Sequence, residues 1–111
     1  MSHPGKASLS GIDLNATRVR AVAGIADAPP QSLVLDGACE ELPLALSLEN
    51  RHIEVGTAGL GLCRRLPHLA CLDFLACLGT DQQWSAGRHR LDATRALAIA
   101  FEHLRPILAG Y

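Results

Sequence analysis

In the first third of the chain, apolar and polar residues alternate with the two-residue period typical of half-buried β-strands. The alternation predicts one strand over residues 9–14 and a second over residues 19–23, joined by a turn at Asn15 and Ala16. Asn tolerates left-handed backbone conformations better than most residues, which suits it to such a turn. Asp13 puts a carboxylate into the middle of this strand pattern, and its presence there requires an explanation.

The middle of the chain continues with the same period. Residues 31–36 form a third predicted strand, which ends with turn residues at 36–37. Residues 42–48 alternate most regularly, with leucine at every second position, and Pro43 places this strand at a sheet edge or at a strand entrance. Residues 52–55 are predicted to pair back on it as a hairpin.

The last part of the chain has helical spacing. Residues 68–78 carry leucines three and four positions apart and are followed by Gly79, so they predict a helix. A second helix is predicted to begin with Asp92 as its N-cap, and Pro106 is expected to kink or loosen its end. Its apolar stripe comprises Ala93, Ala96, Leu97, Ala100, Leu104, Ile107 and Leu108. Trp84, between the helices, is expected to pack over the hairpin.

Composition limits the function classes. A chain of 111 residues, 49% of them apolar, can form one compact domain. Residues 1–8 are expected to be a disordered terminus, and no apolar run approaches the ~18–20 residues of a membrane span. The 10 basic and 11 acidic side chains nearly cancel, which argues against a broad nucleic-acid surface. We therefore expect a cytoplasmic protein that binds neither nucleic acid nor membrane.

Cysteines and histidines define no motif. The four cysteines lack the Cys-x-x-Cys spacing of structural zinc sites and are interpreted as free buried thiols of a reducing compartment. The histidines fall in separate predicted elements, which favours ordinary solvated or hydrogen-bonded roles. A nucleophilic pair of Cys63 with His68 stays open as an alternative.

The stretch Gly11-Ile12-Asp13-Leu14-Asn15-Ala16-Thr17 resembles the first phosphate-binding segment of the seventy-kilodalton heat-shock chaperones, which belong to the actin-like ATPase superfamily. In that family the segment reads Gly-Ile-Asp-Leu-Gly-Thr-Thr and wraps the nucleotide phosphates. The resemblance implies ATP and Mg²⁺ as ligands of the parent family. It implies Asp13, Asn15, Ala16 and Thr17 as nucleotide-binding positions and Asp13 as the metal-associated carboxylate. A plain hairpin without a ligand is the alternative.

The resemblance extends over about residues 9–108, because further segments follow in the family's order at similar spacing. These segments are residues 42–46, residues 55–59, Pro67 and residues 75–79. It implies an α+β fold that begins with the antiparallel β-meander of the actin-like ATPase (ribonuclease H-like) first lobe, over residues 9–41. A small β-hairpin and helix subdomain is expected over residues 42–111, with a short helix before Pro67.

Three departures from the family pattern weaken the implied activity. Asn15 replaces the turn glycine and adds a side chain near the phosphates, and Ala16 replaces a threonine and removes a hydroxyl donor. Leu75 takes the place of the lysine that supports hydrolysis, so positive charge is missing there unless Arg64 or Arg65 substitutes.

Two functions are therefore expected. The first is an amino-terminal fragment of a divergent, truncated chaperone-like nucleotide-binding protein, with weak ATP or phosphate binding at most, no catalytic residue and no autonomous hydrolysis. Its expected partner is the missing second lobe. The second is a stand-alone protein–protein interaction module on a degenerate actin-like fold, paired as a homodimer through open strand edges.

Overall fold

The computed structural model describes residues 9–24, 29–37 and 39–110, and its fold is α+β. The predicted disorder of residues 1–8 lies outside the described residues. The strands are β1 (Leu9–Leu14), β2 (Arg18–Gly24), β3 (Gln31–Ser32), β4 (Glu41–Pro43), β5 (Ala45–Ser47), β6 (Glu54–Val55), β7 (Ala70–Leu72), β8 (Gln83–Ala86) and β9 (His89–Asp92). The helices are α1 (Thr57–Arg65) and α2 (Ala93–Ala109), with a 3₁₀ helix at Pro67–Leu69.

The first sheet is built on the predicted hairpin of β1 and β2. The two strands are antiparallel, in a register that runs from Leu9 opposite Gly24 to Leu14 opposite Val19. β3 and β4 share the other edge of β2, at different points along it. The third predicted strand, residues 31–36, is wrong beyond residue 32, because the chain continues there as a loop with an isolated bridge between Asp36 and Cys39.

Residues 42–48 were predicted to form one continuous strand. In the structure their alternating leucines are divided between two strands that belong to different sheets. β4 pairs with β2, whereas β5 pairs with β6 and β7 in a second antiparallel sheet. The break falls at Leu44, whose N–H donates to the carbonyl of Thr17 at 2.8 Å. All three residues of β5 are buried, so this strand is covered on both faces and forms the centre of the fold.

Helix α1 lies where the resemblance implies a short helix, between Gly56 and Pro67, and two glycines determine how it docks. Gly56 has φ +99°, and a Cβ there would lie 2.7 Å from Oδ2 of Asp36. That carboxylate accepts hydrogen bonds from the N–H of Thr57 at 3.0 Å and from its hydroxyl at 2.5 Å. Asp36 thus caps α1 from 21 residues away. Gly59 lies directly against the backbone of β5.

The predicted helix over residues 68–78 is wrong. The structure has β7 at Ala70–Leu72, paired with β5, and a series of turns over residues 74–79. Asp73, between them, has φ +57°, a left-handed conformation that no α-helix accommodates. The leucine spacing is helical, but pairing with a buried central strand outweighs this local preference.

The carboxyl-terminal third adds a hairpin that the sequence did not predict. β8 and β9 pair through a turn at Gly87, and Trp84 on β8 is half-buried against the hydrophobic core. Asp92 caps α2 as predicted, because its Oδ1 accepts from the N–H of Arg95 at 2.8 Å. The predicted apolar stripe faces the core, and α2 continues through Pro106 to Ala109. In the described part of the chain, neither helix is long and apolar enough to cross a membrane.

Candidate functional site

The turn between β1 and β2 is closed by the side chain of Asn15. The N–H of Asn15 donates to the carbonyl of Arg18 at 3.1 Å. In return, Oδ1 of Asn15 accepts three hydrogen bonds, from the N–H of Thr17 at 2.9 Å, the hydroxyl of Thr17 at 3.1 Å and the N–H of Arg18 at 3.0 Å. One carboxamide oxygen therefore satisfies the donors that point into the turn.

A phosphate bound by this turn would need the same donors. Backbone N–H groups that converge on one point form an anion site because each contributes partial positive charge. Here those groups already converge on Oδ1 of Asn15, so an anion would have to displace three hydrogen bonds, each with a net worth of ~0.5–1.5 kcal/mol. The structure thus brings Asn15 and Thr17 together, but the donors of Thr17 bond to the side chain of Asn15 and are not free for a ligand.

Asp13 lies two residues before the turn, on the face of the hairpin opposite to the core. Its cross-strand neighbour is Arg20, and both line an open groove of about 520 Å³ that extends to Ser32. Among the described residues, no three His, Cys, Asp or Glu side chains lie close enough to hold a metal ion. Asp13 therefore has no cluster of protein co-ligands in this part of the chain. Ala16, at the tip of the turn, is exposed and contributes no polar side-chain atom.

The residues expected to affect hydrolysis lie in other settings. Leu75 is in the turn segment after Asp73, half-buried against the core, and not on the helix that the resemblance implied. Arg65 on α1 donates to both carboxylate oxygens of Glu49, at 3.0 and 3.3 Å. This pairing lowers the pKa of the Glu49 carboxyl and engages the guanidinium of Arg65.

The outer strand of the hairpin carries apolar side chains that the core leaves uncovered. Ile12 and Leu14 are 56% and 38% exposed, although their cross-strand partners Ala21 and Val19 are buried. The four side chains share one face of the sheet, because residues directly opposite in a ladder point the same way. The alternation in the sequence predicts that these side chains share one face, but it does not show that Ile12 and Leu14 remain exposed on that face.

The cysteine and histidine alternatives gain no support from the geometry. Cys63 lies on α1 and His68 in the 3₁₀ helix that follows it, so the two residues belong to separate elements. The four cysteines are free thiols, but the prediction that they are buried is wrong for Cys39, which is exposed, whereas Cys71 is buried. Burial raises the pKa of the Cys71 thiol to about 12, which keeps it protonated and unreactive.

Alkylation is expected to separate these thiols. Iodoacetamide should modify Cys39 in the folded protein, whereas Cys71 should react only after denaturation, since its side chain is fully buried and its thiolate is suppressed. Peptide mass spectrometry over a time course measures both rates. Equal rates for Cys39 and Cys71 in the folded protein would contradict the structure.

No protein-family model matches this chain, and no curated protein sequence matches it.

Proposed function

We propose that this chain is a protein-interaction module on a degenerate fold of the heat-shock-chaperone type, which has lost nucleotide hydrolysis. The observation that carries the proposal is the hydrogen bonding of Asn15, whose side-chain oxygen takes the three donors that a phosphate would use. The departures at Ala16 and Leu75 act in the same direction, because they remove a hydroxyl and a positive charge. The uncovered apolar surface at Ile12 and Leu14 supplies a place for a protein partner.

A nitrogen-edited NMR titration with inorganic phosphate, and then with Mg²⁺ and ATP, tests the loss of phosphate binding. The amide signals of Thr17 and Arg18 are expected to show no saturable shift in the wild-type chain, and no ATP turnover should exceed a blank. A saturable response below about 1 mM, equivalent to about 4 kcal/mol of binding, would overturn the proposal. So would turnover that disappears in Asp13→Ala.

The Asn15→Gly variant shows whether the side chain is the cause. Glycine fits the turn and frees the three donors, so this variant is expected to gain a phosphate response at the Thr17 and Arg18 amides that the wild type lacks. Asn15→Asp is the matched control, because its carboxylate keeps an acceptor in place and adds negative charge. Equal phosphate affinity in the wild type and in Asn15→Gly would contradict a turn closed by Asn15.

A weak nucleotide-phosphate site at the same turn is the second candidate. The open groove beside Asp13 favours it, because Arg20 adds a positive charge there and Thr17 is exposed. In this candidate the chain is part of a chaperone-like ATP-binding lobe and needs an opposing lobe to close the site. The same titration separates the two, since only this candidate gives a wild-type response that Asp13→Ala removes.

A further inference from the structure

The outer edge of β1 is unpaired within residues 9–24, 29–37 and 39–110, where β1 pairs with β2 and with no other strand. An open strand edge presents backbone donors and acceptors that can pair with another strand. This edge adjoins the uncovered side chains of Ile12 and Leu14, so polar pairing and apolar contact are available at one place.

The backbone groups that face outward follow from the hairpin geometry. Asn15 and Arg18 form a hydrogen-bonded pair at the turn, and such pairs alternate with non-bonded pairs along an antiparallel ladder. In this register Asp13 bonds to β2, whereas Ile12 and Leu14 direct their N–H and C=O groups away from it. The carbonyl of Ala21 fits the same alternation, because it accepts from the N–H of Leu33 on the opposite side of β2.

We propose that β1 pairs antiparallel with β1 of a second copy of this chain, with Ile12 facing its own counterpart on the twofold axis. The two first sheets then form one continuous sheet. This inference rests on the proposed function as an interaction module, and it names the partner.

Charge selects the register. An axis at Asp13 would set two carboxylates directly opposite each other, which is destabilising. An axis at Gly11 would set Leu14 opposite residue 8 of the other copy, which precedes β1, so the outward N–H and C=O groups of Leu14 would have no strand partner. An axis at Ile12 sets Asp13 opposite Gly11 of the other copy, where no side chain competes for space, while Arg20 on β2 remains beside the carboxylate.

The apolar contacts agree with this register. The two Ile12 side chains meet at the axis on the core side of the sheet, with each Leu14 placed diagonally to the opposite Ile12, within reach across a ladder. Both side chains are thereby removed from water, which stabilises the pair at ~25 cal/mol per Å² of apolar area. Pairing with a second copy therefore provides hydrogen-bond partners for the unpaired backbone edge, avoids opposed carboxylates and covers the exposed apolar side chains.

Sedimentation equilibrium on the whole chain tests the pairing. The wild type is expected to form a dimer of about 23.6 kDa, twice the 11.8 kDa chain, at micromolar concentration. Ile12→Lys should weaken self-association at least about tenfold, because a charge is placed on the axis. Leu60→Lys is the matched control: Leu60 is 51% exposed on α1, so this variant should associate like the wild type. Circular dichroism verifies that both variants fold.

Disulfide trapping tests the register in a background that carries Cys39→Ser. Residues opposite each other in a hydrogen-bonded pair have Cα atoms about 5.5 Å apart, within the range that a disulfide spans. Ile12→Cys should therefore crosslink to itself under mild oxidation. Asp13→Cys should not, since Asp13 lies opposite Gly11. The reverse result would overturn the register, and a wild type that stays monomeric at about 100 μM, a concentration at which a micromolar pair is almost fully formed, would overturn the dimer.

The two proposals fail in different experiments. A monomeric chain that ignores phosphate refutes the pairing and leaves the interaction module standing with a different partner. A chain that binds phosphate through the wild-type turn refutes the proposed function, whatever its mass in the ultracentrifuge.

Discussion

Replacement of Gly59 by alanine is expected to lower the free energy of unfolding by about 3 kcal/mol or more. A Cβ at this position would lie 2.6 Å from both the backbone N and the backbone C of Leu46, and 2.7 Å from the backbone C of Ala45. Backbone atoms of a central strand cannot turn aside as a flexible side chain can, so α1 would have to move away from β5. Because small domains have only ~5–15 kcal/mol of stability, this is a large share of the total.

The matched control is Gly61→Ala in the same helix. A Cβ at Gly61 meets nothing within 4 Å, so the change brings only the helix preference of alanine and should stabilise the protein by ~0.5–1 kcal/mol. Urea unfolding curves of both variants measure the difference. Equal stability of Gly59→Ala and Gly61→Ala would show that α1 does not pack on β5 as the structure has it.

The second large effect is expected for Phe74→Ala. Phe74 is completely buried in the core, and truncation of a buried phenylalanine costs ~3–5 kcal/mol through lost transfer energy and the cavity that remains. Phe74 lies in the turn segment that follows β7. The variant therefore also tests whether residues 68–79 form a strand and turns, as in the structure, and not the helix that the sequence predicted.

Phe101→Ala provides the comparison for Phe74→Ala. Phe101 on α2 is 43% exposed, and its truncation should cost about 1 kcal/mol or less. Phe74→Leu, which fills most of the space, should lose less than about 1.5 kcal/mol. A Phe74→Ala variant as stable as Phe101→Ala would be incompatible with a core position for residue 74.

The turn between β1 and β2 illustrates how one side chain can satisfy a local backbone shape. The two strands pair on either side of it, within residues 9–24. A glycine at position 15 would leave the turn donors open to a ligand, whereas Asn15 supplies its own acceptor. The turn therefore needs no ligand to satisfy these hydrogen bonds.

Elements whose signals are local were predictable. The hairpin of β1 and β2 follows from alternation around Asn15, and α2 follows from an apolar stripe that begins after Asp92. The hairpin strand predicted over residues 52–55 was confirmed for residues 54–55, which pair with β5 across a short connection. In each case the residues that decide the structure are within a few positions of one another.

Elements that depend on distant contacts were not predictable in the same way. Residues 68–78 have helical leucine spacing, but residues 70–72 form a strand, because β5 offers them a buried ladder and Asp73 turns the chain afterwards. The leucines of residues 42–48 divide between two sheets at Leu44, because β2 pairs with the residues before it and β7 with the residues after it. The hairpin of β8 and β9 gave too weak a polar and apolar alternation to be identified.

The sequence by itself determined the turn between β1 and β2, the face of each outer strand and the beginning of α2, because these depend on backbone preferences and side-chain period. Only the tertiary structure decided that Asp36 caps α1 from 21 residues away. It also decided that Ile12 stays exposed, next to an edge of β1 that no other strand pairs with within the described residues. Both features depend on which distant groups meet, and residue spacing alone does not specify that.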